Sequence, residues 1–140
     1  MKINNNCARM ILKEVEKIPF GDTITVSKLH EKISDFQIED ILNIVTLFNR
    51  DHYLTMMDKA SYDDNDILRD NKIKGLTEKG FKTLDLIRED EIWNEIATKI
   101  PNFDNLSIYT LFEIANRINN VNQNRIFNLP DNVISTITKW

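Results

Sequence analysis

Residues 53–75 read YLTMMDKASYDDNDILRDNKIKG, and the reading of this stretch decides the fold. The two short mixed-apolar runs, YLTMMDK and ILRDNKIKG, flank the polar tip ASYDDND. Apolar runs of strand length on either side of a turn-forming tip predict a β-hairpin. What lies upstream decides what kind of hairpin it is. Cys7, Met10, Ile11, Glu14 and Ile18 step by three and four, so residues 5–18 are expected to form an amphipathic helix that stops at Pro19. Gly21 allows a turn, and the alternation in DTITV suggests a short strand. A second helix follows over residues 26–33 with Leu29 and Ile33 inward. A third, over residues 37–50, carries Ile38, Ile41, Leu42, Val45 and Phe48 on one stripe, with Ser34 or Asp35 as its N-cap. Helix, strand, helix, helix, hairpin is the order of a winged helix-turn-helix, in which the third helix is the recognition element and the hairpin the wing.

Downstream, in GLTEKGFKTLDLIREDEIWNEI, the apolar positions Leu76, Gly80, Leu84 and Ile87 share one helical face. At about 100° per residue, Ile92, Trp93, Ile96 and Ile100 fall nearly opposite. One straight helix cannot bury both faces, so a break is expected near residues 88–90, with Asp90 capping the second piece and Pro101 ending it. In this reading Gly75 ends the wing strand and Gly80 lets the helix lie close to the winged-helix body. Leu84, Ile87 and Trp93 are the anchors that join that body to the C-terminal helices. A further helix is expected from about Ser107 to Asn119 with Ile108, Leu111, Phe112, Ala115 and Ile118 inward. An Asn-rich connector then leads to LPDNVISTITKW, whose Pro130 suits a first helical turn. The expected organisation is one α+β, mainly α domain: winged helix-turn-helix over 1–75, C-terminal helices over 76–119 packed on it, and connector with short terminal helix over 120–140.

Composition narrows the function. A 140-residue chain with 41% hydrophobic residues can bury a real core. A net charge of -4 is not that of a protein that wraps nucleic acid by bulk electrostatics. MKINNN is followed by an amphipathic pattern, and no apolar run approaches the roughly 20 residues that span a bilayer, so a cytoplasmic protein is expected. The single cysteine, Cys7, fits a reducing compartment and a packing role. His30 and His52 show no metal-ligand spacing with Cys7 or the carboxylates. The tip Asp63, Asp64, Asn65, Asp66 lacks the glycine and the bidentate glutamate of a calcium loop. No phosphate-cradling glycine loop, nucleophile elbow or dinucleotide fingerprint occurs, and the chain has three glycines in all. The expectation is therefore no enzyme, no cofactor and no metal.

Two surfaces carry the question of partners. On the third helix the face opposite the apolar stripe carries Glu39, Asn43, Thr46 and Arg50, flanked by Asp40 and Leu47. Asn43 and Arg50 have the groups to read adenine and guanine, but Glu39 and Asp40 face phosphate with the wrong sign. Residues 58–70 contain five aspartates against Lys59 and Arg69, so the wing should repel a DNA backbone. Leu47, Tyr62 and Trp140 are the candidates for contacts with a protein partner, against the plainer reading of all these positions as solvated exterior or core.

The stretch GLTEKGFKTLDLIREDEIWNEI resembles the GLTxxGxxxLDxIRxDxxW signature of a bacterial and phage family catalogued as a domain of unknown function. CARMILKEVEKIPFG resembles that family's opening helix and turn, and SIYTLFEIANRI its closing helix, so that the resemblance covers roughly residues 5–119. A more distant likeness is to YjcQ-like winged-helix proteins, which share the LTxxGxxxL element after the wing. The resemblance implies a winged-helix fold and a home in prophages, and it carries no catalytic residues over. The expected function is a non-enzymatic phage accessory protein that binds a host protein, or itself as a homodimer, and modulates a host process. The alternatives are a DNA-binding transcriptional regulator, marked by a cluster of Lys28, Lys32, Arg50, Lys59 and Arg69, and an inhibitor of bacterial defence such as an anti-CRISPR.

Overall fold

The computed structural model describes residues 4–57 and 71–121. Six helices and a two-stranded antiparallel hairpin are found among them: α1 (Asn5–Glu16), α2 (Val26–Lys32), α3 (Ile38–Arg50), β1 (Leu54–Met56), β2 (Ile73–Leu76), α4 (Glu78–Ile87), α5 (Asp90–Lys99) and α6 (Ile108–Val121). The fold is α+β and mainly helical. By contact density the chain divides into two compact units, Asn6–Leu84 and Asp85–Trp140 with Met1–Asn5, the division falling inside α4.

In the Asn6–Leu84 unit the apolar stripes read from the sequence become a core in which Ile11, Leu12, Leu29, Ile41, Ile44 and Phe48 are shut off from solvent. The helix α2 packs on α3, and β1 pairs with β2 in the register Leu54↔Leu76 and Thr55↔Gly75 before slipping to Met56↔Ile73. The slip leaves Lys74 as an extra residue on β2, the local irregularity of a β-bulge. The strand expected in DTITV is reduced to a single bridge, Ile24↔Ile73, closed by a reciprocal pair of backbone hydrogen bonds of 3.0 and 2.8 Å. The reason is the next residue. Thr25 is already the N-cap of α2, its hydroxyl accepting from the Lys28 N–H at 3.2 Å, so the chain turns helical before a strand can extend.

The cap of α3 also differs from expectation. Gln37, extended at φ -76° and ψ 148°, occupies the N-cap with no side-chain bond, and neither Ser34 nor Asp35 serves. Glu39 and Asp40 stand instead in the first turn, where negative charge complements the helix dipole. Gly75 lies inside β2 and does not end it.

In the second unit the break between α4 and α5 falls where the two apolar faces required it. Glu89 is the N-cap of α5, one residue earlier than expected, and Asp90 and Glu91 supply charge to the first turn. Trp93 is buried and meets the Phe103 ring edge-on at 5.2 Å and 76°. Phe103 opens a short 3-10 turn, Phe103–Asn105, entered through the left-handed Asn102 at φ 58°. The Asn5 side-chain amide donates to the carbonyls of Phe103 at 3.1 Å and Leu106 at 3.0 Å, and Phe103 is buried between α5 and α6 in the chain. Ser107 caps α6 by accepting from the Thr110 N–H at 3.1 Å. The expected terminal helix in residues 129–140 lies outside the described residues.

Candidate interaction surface

The residues singled out on α3 lie along one side of the helix but differ in exposure. Glu39 and Arg50 are exposed, Asn43 and Leu47 are half-buried, and Thr46 is buried, its hydroxyl donating to the Leu42 carbonyl at 2.8 Å. A threonine hydroxyl inside a helix can bond back to the carbonyl one turn earlier, sharing it with the helical N–H. Thr46 therefore offers nothing outward, and its expected place on the partner-facing side is corrected. Tyr62 and Trp140 lie outside the described residues, as do Lys59 and Arg69. Lys28 and Lys32 line a common cleft, and Arg50 is not among its lining.

The surface that stands out was not singled out from the sequence. Residues Pro19–Asp22 form a tight turn, closed by the Asp22 N–H donating to the Pro19 carbonyl at 3.0 Å, with Gly21 in the left-handed region at φ 89°. A positive φ at the third position is what a type II turn requires and what glycine supplies without steric cost. The second position then projects its side chain from the tip, and that residue is Phe20, with a relative exposure of 107%. An exposed phenylalanine forgoes about 1.5–3 kcal/mol of burial. Among the described residues Phe81 at 44% and Met57 at 42% are the other exposed large apolar side chains, and Met57 borders the same hollow as Phe20. That hollow, of about 370 Å3, has other walls that include Thr55, Lys74 and Leu76 of the hairpin. On the other side of the turn is a second, open cleft of about 580 Å3; Gly21, Asp22, Thr23 and Met57 border both hollows. The signal in the sequence was PFGD, a turn tetrapeptide with an aromatic residue at its tip.

His52 and Lys79 belong to contacts that tie the end of α3 to the start of α4. His52 is exposed, in a left-handed turn at φ 66°, and its carbonyl accepts from the Thr77 hydroxyl at 2.5 Å. Lys79 donates to the Asp51 carbonyl at 2.9 Å while its ammonium lies 4.4 Å from the centre of the Tyr53 ring. Among the described residues no group of three or more His, Cys, Asp or Glu is placed to hold a metal ion, and no helix is long and apolar enough to cross a membrane. Cys7 is fully buried; burial, with a smaller contribution from the Asp40 charge, pushes its thiol up to about 12, the opposite of what a nucleophile needs.

Comparison with known proteins gives two findings. The model of a family described as "Hypothetical protein (DUF2513)" matches residues 2–104, ending upstream of α6, which the resemblance read from the sequence had included. A protein named fructose-1,6-bisphosphatase class 3 2, of Clostridium beijerinckii, is 27% identical over a 121-residue match that covers 78% of this chain and 18% of that protein. The chain thus spans under a fifth of that relative's length. No solved structure matches.

Proposed function

The chain belongs to the family described as "Hypothetical protein (DUF2513)", and on that premise we propose that it is a non-enzymatic phage or prophage accessory protein, a winged-helix scaffold that binds another protein and so modulates a host process. The element order α1, Ile24 bridge, α2, α3, β1, β2 supports the winged-helix reading, with α2–α3 as the helix-turn-helix and the β1–β2 hairpin as the base of the wing. The likeness to YjcQ-like winged-helix proteins belongs to this reading too. The bisphosphatase name describes a protein of which this chain covers 18%, so the phosphatase chemistry is left with that whole protein.

The observation that carries the proposal is Phe20, fully exposed at the tip of the tight Pro19–Asp22 turn and bordering the same hollow as Met57. Aromatic side chains that become buried on binding are what anchor protein interfaces. The α3 face argues against DNA as the first choice, because Glu39 is exposed at the end that would approach phosphate and Thr46 is turned inward. The test is Phe20→Ser in the full chain. The expected result is loss of the captured host protein, or of self-association by native mass spectrometry, with no fall in thermal midpoint. Undiminished capture by the variant, or a bare monomer that captures nothing, refutes the reading. A salt-dependent gel shift lost in Arg50→Ala would promote the DNA-binding alternative in its place.

A further inference from the structure

We propose that the 580 Å3 cleft beside the Phe20 turn binds a short acidic segment of a protein partner that also carries aliphatic side chains. The proposal deepens the reading of Phe20 as a protein contact and rests on it. The cleft is built within the Asn6–Leu84 unit from the end of α1, the outward side of α2 and the start of β2. Lys17, Lys28, Lys32 and Lys72 stand round it against two carboxylates, Glu14 and Asp22. In a chain whose net charge is -4 this is a local reversal of sign.

The lysines are not equally committed. Lys17 pairs with Glu14 at 2.7 Å, and Lys28 with Glu31 at 3.5 Å on the exposed side of α2. Lys32 and Lys72 make no ion pair with any described residue. Between them the walls are aliphatic: Ile18, Pro19, Ile24 and Met57. A cationic rim over an aliphatic floor complements a ligand that is both acidic and apolar, as an amphipathic peptide is. The floor continues past Gly21–Thr23 and Met57 into the Phe20 hollow, so one peptide can engage both.

Nucleic acid is the other polyanion with apolar faces, and the cleft fits it less well. Among the described residues no aromatic side chain lines it, whereas single-strand sites stack bases on aromatic rings. Its cations are lysines, point charges without the bidentate fork that matches phosphate. Glu14 and Asp22 share the same walls, which a phosphate chain would have to pass and a peptide can meet with a backbone N–H.

The test is fluorescence anisotropy on the full chain with three labelled probes: a short Glu- and Leu-rich peptide, its counterpart with Lys for Glu, and oligothymidylate. The acidic peptide is expected to bind, more weakly as salt rises, and the basic peptide not at all. Lys32→Glu with Lys72→Glu is expected to lower acidic-peptide affinity roughly tenfold with an unchanged melting midpoint, since each lost rim contact is weak and each reversal adds repulsion. Failure of the acidic peptide to bind, equal binding by the double variant, or tighter and lysine-dependent binding of oligothymidylate each overturns the proposal. Peptide affinity that survives Phe20→Ala but falls in the lysine variant upholds the cleft and removes Phe20. Phe20-dependent capture of a host protein with no peptide binding removes the cleft alone.

Discussion

Replacing Gly80 by alanine sets two well-calibrated effects against each other. Gly80 sits in the first turns of α4, where alanine is favoured by about 1 kcal/mol on helix propensity. A Cβ there, however, would overlap the backbone carbonyl oxygen of Tyr53 and come within 3.2 Å of the Leu76 Cβ. That carbonyl is not free to retreat, because it accepts the Thr77 N–H at 3.1 Å, and Tyr53 is pinned through its own N–H to the Phe48 carbonyl at 2.8 Å. Overpacking a fixed site costs roughly 1–3 kcal/mol, and giving up the Thr77 bond adds about 1 kcal/mol. The steric side wins, and Gly80→Ala should destabilise the protein by roughly 1–3 kcal/mol. Gly75→Ala is the internal control. Nothing lies within 4 Å of a Cβ at that position, so loss of glycine's unfolded-state freedom should leave stability unchanged or raised by up to about 1 kcal/mol. Urea unfolding followed by circular dichroism at constant m-value measures both. A Gly80→Ala protein as stable as the wild type would refute the close approach of α4 to the start of the hairpin.

Trp93→Ala should cost about 3–5 kcal/mol, because the buried indole and its edge contact with Phe103 are lost together; a change below about 1 kcal/mol would deny the residue an anchoring role. Cys7 gives a pH prediction whose sign follows from the raised thiol. The unfolded chain releases that proton near its ordinary 9.0 and the folded chain only near 12, so alkaline pH favours unfolding. The stability that the neutral buried thiol supports is complete below pH 9 and is lost as pH rises from there toward 12. Urea midpoints of wild type and Cys7→Ala should differ by an amount that changes across that window, and a constant difference would contradict the assignment. The same burial predicts that a thiol reagent labels Cys7 at neutral pH only after denaturation.

Periodicity carried the secondary structure a long way. The stripes Ile41–Val45–Phe48 and Trp93–Ile96–Ile100 are one face each of a helix, and a helix must turn such a face inward. The opposed faces of Leu84–Ile87 and Trp93–Ile96 required a break, and the chain breaks between Ile87 and Asp90. Caps were less legible. Ser34, Asp35 and Asp90 are good capping residues by type, yet Gln37 and Glu89 hold the positions. Where a helix starts depends on which turn the preceding loop can close, and burial of the stripe outweighs the roughly 1 kcal/mol of a capping bond.

The candidate surface was the least legible of all. The residue types on α3 pointed to a reading face, but a threonine hydroxyl is free to bond backward, and at Thr46 it does so. PFGD announced a turn; nothing local says that a phenylalanine at its tip finds no core to enter, since in many folds it would. The lysines at 17, 28, 32 and 72 are scattered over more than fifty positions, and no local pattern joins the four. Among the described residues the sequence by itself determined the helices, the paired strands β1 and β2 and the buried faces, because these follow from the period of the backbone and the water-aversion of single residues. Only the tertiary structure decided that Phe20 stays outside and that four lysines share one cleft. Exposure and charge convergence are properties of where distant segments meet, and that meeting is set by packing rather than by any local pattern.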